Sequence, residues 1–156
     1  MISVLFVCLG NICRSPMAEA IFRHKVKDAG LEAEIQIDSA GTGNWHVGNQ
    51  PHVGTQKVLK ENRISFEGIR ARQVNESDFA EFDYIIAMDE KNVSDLESIK
   101  KGNPTAYVGQ LLSFLPDVSD KNVPDPYFTG NFQVVYELID ESCSRLLTFI
   151  RERNNI

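Results

Sequence analysis

Basic residues are in short supply. Sixteen Lys and Arg stand against 22 Asp and Glu, a formal net charge of −6. Nucleic-acid binders generally carry the opposite balance, so nucleic acid is excluded as a general partner, although a single local anion site is not. Cysteines number three, an odd count with no pairing framework, which points to a reduced cytosolic protein. No apolar run approaches the length of a membrane span, and Ile2–Val7 is too short, and lacks the basic flank, for a signal peptide. The three histidines, His24, His46 and His52, show no metal-ligand spacing and read as surface residues. There is no internal repeat, no low-complexity segment and no break in composition.

What remains is an ordinary globular chain. Its 156 residues, 42% hydrophobic and 24% charged, fit one domain spanning residues 1–156 with one sizeable core. Ile2–Val7 is a continuous apolar run and reads as a buried parallel strand. Pro16 to about Ala29 reads as helix, closed by Gly30. Glu34–Asp38 reads as a second strand that ends in the loop Ser39-Ala40-Gly41-Thr42-Gly43. Helix is expected from Val53 to about Glu61, and a short helical segment over Glu76–Phe82 with Asn75 as its cap. Asp83–Met88 carries a third buried strand, Lys91–Ile99 a helix, and Thr105–Val108 a short fourth strand. A helical turn at Leu111–Leu115 precedes a long Asp- and Pro-rich loop from Pro116 to Gly130. Phe132–Arg151 closes the chain as an amphipathic helix whose apolar positions include Val135, Leu138, Ile139, Cys143, Leu146, Leu147 and Ile150. Alternation of strands and helices implies an α/β domain, a four-stranded parallel sheet with helices on both faces. Ligands of such sheets bind beyond the carboxyl ends of the strands.

One stretch occupies such an end: Cys8-Leu9-Gly10-Asn11-Ile12-Cys13-Arg14-Ser15, between the first strand and the first helix. Strand, tight loop and helix in that order aim backbone N–H groups and the positive end of a helix dipole at one point, where an anion belongs. Cys8 is the candidate nucleophile, which attacks as the thiolate that these groups and Arg14 favour. Arg14 offers two parallel N–H groups that match two phosphate oxygens. Gly10 and Asn11 suit a backbone that most residues resist. Ser15 reads as the helix N-cap with Pro16 at the first helical position, and its hydroxyl is placed to stabilise a departing Cys8 thiolate. A lone Cys at a strand end is more often a small buried hydrophobe. A loop of Gly, Asn, Arg and Ser is a poor choice for packing, however, and it lacks the Gly-Lys-Ser/Thr ending of a nucleotide cradle.

With Cys8 through Glu19, Asp38-Ser39-Ala40-Gly41-Thr42 and Asp125-Pro126-Tyr127, the chain resembles the low-molecular-weight protein tyrosine phosphatases, in the family's order and over nearly its whole length. On its own, Asp125 is either a turn opener or a general acid for a leaving alkoxide or phenoxide. The resemblance implies the second. It also implies that Trp45 and Tyr127, with Ile12, line the substrate cleft, against the plainer reading that a single Trp fills core. Phe128 departs from the pattern, since many relatives have a second Tyr there. Ser39 resembles a residue that helps Asn11 hold the loop. Many relatives complete that network with a His whose counterpart here is Ile69, so the network is incomplete or completed differently. Asp89 either helps position the site or simply opens a helix. The resemblance further implies a reversible disulfide between Cys8 and Cys13 that protects the nucleophile, while Cys143 reads as helix core.

The reaction so implied is hydrolysis of phosphotyrosine, in a protein or a small phosphate monoester, through a phosphocysteine, and it needs no metal or organic cofactor. Three alternatives stand beside it. An arsenate reductase passes oxidation to further cysteines, and only Cys143 is left for that. A protein arginine phosphatase shares the fold and loop, with a Thr where this chain has Ile12. A non-catalytic phosphate-binding module has no need of Cys8 or Asp125. Neither the oligomeric state nor the physiological substrate is encoded in any recognisable form.

Overall fold

The computed structural model describes all 156 residues. Its centre is a four-stranded parallel sheet of order β2-β1-β3-β4, built from β1 (Ile2–Cys8), β2 (Ile35–Gly41), β3 (Tyr84–Ala87) and β4 (Tyr107–Gln110). Helices alternate with them: α1 (Arg14–Asp28), α2 (Val53–Glu61), α3 (Asp78–Glu81) and α4 (Glu90–Ile99). A 3₁₀ turn (Leu111–Phe114), α5 (Pro126–Thr129) and α6 (Phe132–Asn154) follow β4.

β1 shows why the sequence runs this way. Val4 to Val7 are wholly buried, because the strand is central and covered on both faces. Val4, Phe6 and Cys8 face a large core shared with α1 and α6, through Met17, Ile21, Ile139 and Leu146 among others. Leu5 and Val7 face a smaller core with Phe79 and Phe82 near α3 and Leu96 of α4. Odd and even positions thus serve opposite layers. Cys8 ends the strand on the face that α1 covers.

Five boundaries differ from expectation. β2 continues through Ser39 and Ala40 to Gly41, which were expected as loop, because Phe6, Val7 and Cys8 pair with Ser39, Ala40 and Gly41. Tertiary pairing overrides the turn-like composition. Gly41 is required there, since a Cβ would meet the Leu9 carbonyl oxygen at 2.8 Å. β4 starts two residues later than expected, where Tyr107 enters register with Tyr84. The stretch from Pro116 to Gly130 is not all loop: Asp125 caps the short α5, which Gly130 closes at φ 74°. Ser77 rather than Asn75 holds the N-cap position of α3, without a side-chain capping bond, and α6 runs three residues beyond Arg151.

Candidate active site

The loop between β1 and α1 is held by its carbonyls. Those of Cys8, Leu9 and Ile12 accept from the backbone N–H groups of Thr42, Gly43 and His52 at 2.9, 2.9 and 2.7 Å. That of Cys13 accepts from the Thr55 hydroxyl at 3.1 Å. A peptide plane that turns its oxygen outward turns its N–H inward. Accordingly the N–H groups of Leu9, Gly10, Ile12, Cys13, Arg14 and Ser15 meet no protein acceptor, and that of Asn11 donates to Cys8 Sγ at 3.3 Å. Asn11 takes φ 57°, the left-handed conformation that Asn tolerates best among residues with a Cβ. The result is a loop with one amide on the sulfur and six N–H groups left free for a ligand, at the start of a 15-residue helix.

Two cysteines share this loop and differ in character. Burial, then the charges of Cys8 and Asp125, push the Cys13 thiol up to about 12, so it remains protonated at neutral pH. Cys8 receives the Asn11 amide and lies 2.9 Å from the Ser15 hydroxyl. Ser15 is not the N-cap. The helix starts at Arg14 with Cys13 in the cap position and no side-chain cap. Its hydroxyl is turned to Cys8 Sγ instead.

Arg14 is almost wholly buried and brings three strand ends together. Its Nη1 donates to Asp89 Oδ2 at 2.7 Å and to the Val123 carbonyl at 3.0 Å, and Nη2 lies 3.5 Å from Asp125 Oδ2. Burial works against its charge, but Cys8, Asp89 and Asp125 outweigh it and raise the guanidinium's pKa. Asp89 does both things considered for it: Oδ1 caps α4 through Asn92 N–H while Oδ2 holds Arg14. Asp125 likewise caps α5 through Tyr127 N–H, leaving Oδ2 toward the site.

Asn11 is the hub of the support beneath the loop. Its Oδ1 accepts from Arg72 N–H at 2.9 Å. Its Nδ2 donates to Ser15 Oγ at 2.8 Å and to Ser39 Oγ at 3.0 Å. The Ser39 hydroxyl in turn donates to Glu19 Oε1 at 2.6 Å. The network is therefore complete, with Glu19 at its far end. Ile69 takes no part and is buried in the main core. Sequence reasoning missed Glu19, although its spacing of four from Ser15 puts both on one face of α1.

A cavity of about 220 Å³ opens above the loop. Leu9 and Ile12 of the loop line it together with Trp45, Tyr127 and Phe128. Trp45 is 68% exposed and Tyr127 54%, so neither is core. Two histidines are more than surface residues. His46 lines the cavity, lying over Gly10. His52 accepts from Gly54 N–H, stacks on Phe132 at 5.1 Å and meets Tyr127 edge-on at 6.0 Å. Only His24 stands apart, beside Asp28 on α1. No group of three His, Cys, Asp or Glu is placed to hold a metal ion.

A buried thiol, a buried guanidinium and a carboxyl gathered at a loop with free N–H groups, on a parallel α/β sheet, form an arrangement suited to binding a phosphate group. Comparison with known proteins carries this further. The family model for low molecular weight phosphotyrosine protein phosphatases matches residues 3–155, and the chain belongs to that family, whose members are phosphoric monoester hydrolases. It is 53% identical over 156 residues to the low molecular weight protein-tyrosine-phosphatase YfkJ of Bacillus subtilis, covering 100% of both chains. The crystal structure of YfkJ matches with a TM-score of 0.95 at 54% identity, over 98% of this chain and 96% of that one. PtpA of Staphylococcus saprophyticus, also a low molecular weight protein-tyrosine-phosphatase, is 48% identical over 158 residues, 100% of this chain and 98% of its own. A structure of a drosophila arginine phosphatase matches with a TM-score of 0.87 at 39% identity, over 95% and 97% of the two chains.

Proposed function

We propose that the protein hydrolyses phosphotyrosine in two steps through a phosphocysteine. The observation that carries this reading is the loop itself: six of its N–H groups meet no protein acceptor, that of Asn11 donates to Cys8 Sγ, and the carbonyls of Cys8, Leu9, Ile12 and Cys13 are tied to neighbouring segments. In the first step Cys8 Sγ attacks phosphorus, the P–O bond to the aryl group breaks, and Asp125 gives its proton to the leaving oxygen. Arg14 and the loop amides bind the three equatorial oxygens, where charge spreads in the transition state. In the second, water attacks phosphorus, Asp125 takes the water's proton and the S–P bond breaks. Inorganic phosphate leaves and the Cys8 thiolate returns, with the Ser15 hydroxyl donating to it.

Trp45 and Tyr127 flank the mouth of the cavity, which suits a flat aryl group between them. Apolar Ile12 in the cavity lining favours an aryl phosphate ester over an N-phosphorylated guanidinium. The likeness to an arginine phosphatase keeps phosphoarginine as the second reading. We assign the protein to the reducing cytosol, where the nucleophilic thiol persists; no helix is long and apolar enough to cross a membrane.

The test compares phosphotyrosine, phosphoserine and phosphoarginine peptides, without metal and with reductant, for wild type, Cys8→Ser and Asp125→Ala. Turnover of phosphotyrosine alone, abolished by Cys8→Ser and cut about 10²-fold or more by Asp125→Ala, is the expected result. Preference for phosphoarginine overturns the substrate and keeps the chemistry. Phosphate binding without turnover of any peptide makes the protein a binding module.

A further inference from the structure

Glu19 is the one buried carboxylate near the site that the mechanism above does not use. It is 7% exposed, and no Lys, Arg or His nitrogen lies within 4.0 Å of it. An unpaired carboxylate so placed is costly unless it serves something. Its hydrogen bond is to the Ser39 hydroxyl, and through it an unbroken series runs to the nucleophile: Glu19, Ser39, Asn11, Ser15, Cys8.

The direction of each bond follows from the chemistry of the groups. An ionised carboxylate only accepts, so Ser39 donates its one hydroxyl proton to Glu19. Ser39 Oγ is then an acceptor toward Asn11, which turns its NH₂ that way. The Arg72 N–H on Asn11 Oδ1 enforces the same orientation from the other side. The second Asn11 N–H donates to Ser15 Oγ, which leaves the Ser15 proton pointing at Cys8 Sγ. With both ends fixed, Asn11 is also held at φ 57°.

We propose that Glu19, in its ionised form, is a positioning residue for catalysis, locking the polarity of this series so that Ser15 always donates to the Cys8 thiolate as the S–P bond breaks. A protonated Glu19 can itself donate to Ser39 and releases the lock at that end. The surroundings make this an event of physiological pH. Burial pushes the Glu19 carboxyl up to about 7, with Asp38 on β2 adding to the effect. The Ser39 bond, Arg23 on α1 and Arg72 after the second helix oppose it. Catalysis is therefore predicted to weaken as the pH falls through that region, beyond the loss due to the reacting groups.

This inference rests on the phosphocysteine reading, and its test separates the two. Wild type, Glu19→Ala, Glu19→Gln and Ser39→Ala are compared for kcat, KM and their pH dependence on a phosphotyrosine peptide. Glu19→Ala should lower kcat by about tenfold and kcat/KM by less, because one charge-assisted bond supporting thiolate expulsion is lost. Glu19→Gln keeps an oxygen to accept from Ser39, so it should recover most of kcat while removing one ionisation near neutral pH from the profile. Ser39→Ala should match Glu19→Ala, and the double variant should be no worse than either. If Glu19→Ala fails to fold, Glu19→Gln and Ser39→Ala carry the test alone. A Glu19→Gln profile identical to wild type, or additive losses in the double variant, overturns the proposal. Activity retained in Cys8→Ser would overturn the phosphocysteine reading instead.

Discussion

The two ends of the sheet are built from different materials. At the carboxyl end, Asn11, Arg14, Ser15, Glu19 and Ser39 are all buried, and nearly every contact among them is a directed hydrogen bond. At the amino end, Tyr84 and Tyr107 join Phe114 of the 3₁₀ turn and Phe149 of α6 in one aromatic cluster. Arg153 lies over three of those rings, at 5.7, 5.5 and 5.6 Å from the centroids. The first end fixes the position of one sulfur at a cost in desolvation. The second end offsets that cost with non-directional burial and cation–π contacts. A molecule divided in this way should lose activity and stability separately.

Arg14 gives the sharpest way to break the comparison. Arg14→Lys keeps the charge but not the fork that reaches Asp89, Val123 and Asp125. It should cut kcat on a phosphotyrosine peptide by about 10²-fold or more, with the folded state retained by circular dichroism. A loss below fivefold would mean that charge alone suffices. Phe149→Ala should do the reverse. Because the ring is only partly buried, the expected loss is about 2 kcal/mol in a denaturant titration, with kcat within about twofold of wild type. A matching fall in kcat would show that the two ends are coupled.

Glu19 supplies the smallest and most informative effect, in stability against pH. Its carboxyl is raised from 4.5 to about 7 in the folded state. The folded chain therefore holds this proton more tightly than the unfolded chain, and the associated stability is fully present below pH 4.5. It is lost as the pH rises through about 7. Denaturant titrations across that range should show the fall in wild type and its absence in Glu19→Gln. Equal slopes in both would place the proton elsewhere.

The same division explains what was legible in the sequence. The apolar run of β1, the residues of α2 and the Cys8–Ser15 loop each carry a local pattern, and the structure keeps them close to where that pattern puts them. The family's motifs place Asp125 and Trp45 at the site, and both line the cavity above the loop. Ser39 was read as loop because Ser-Ala-Gly-Thr-Gly has the composition of a turn. Its strand geometry comes from pairing with Phe6 and Val7 of β1, which no local window records. Ser15 was read as a cap because Ser before Pro usually is one. The hydroxyl finds Cys8 and Asn11 instead, seven and four residues away. The far end of the network beneath the loop was invisible for the same reason. Glu19 reaches Ser39 across 20 residues, from a helix to a strand.

The claim on which all of this depends is that Cys8 is the atom that takes the phosphoryl group. Rapid acid quench of the enzyme during turnover of a phosphotyrosine peptide, followed by peptide mass spectrometry, tests it directly. The account predicts one phosphoryl group on the peptide that contains Cys8, absent in Cys8→Ser, and accumulating further in Glu19→Ala. Turnover with the label on Cys13, on another residue or on none would contradict it.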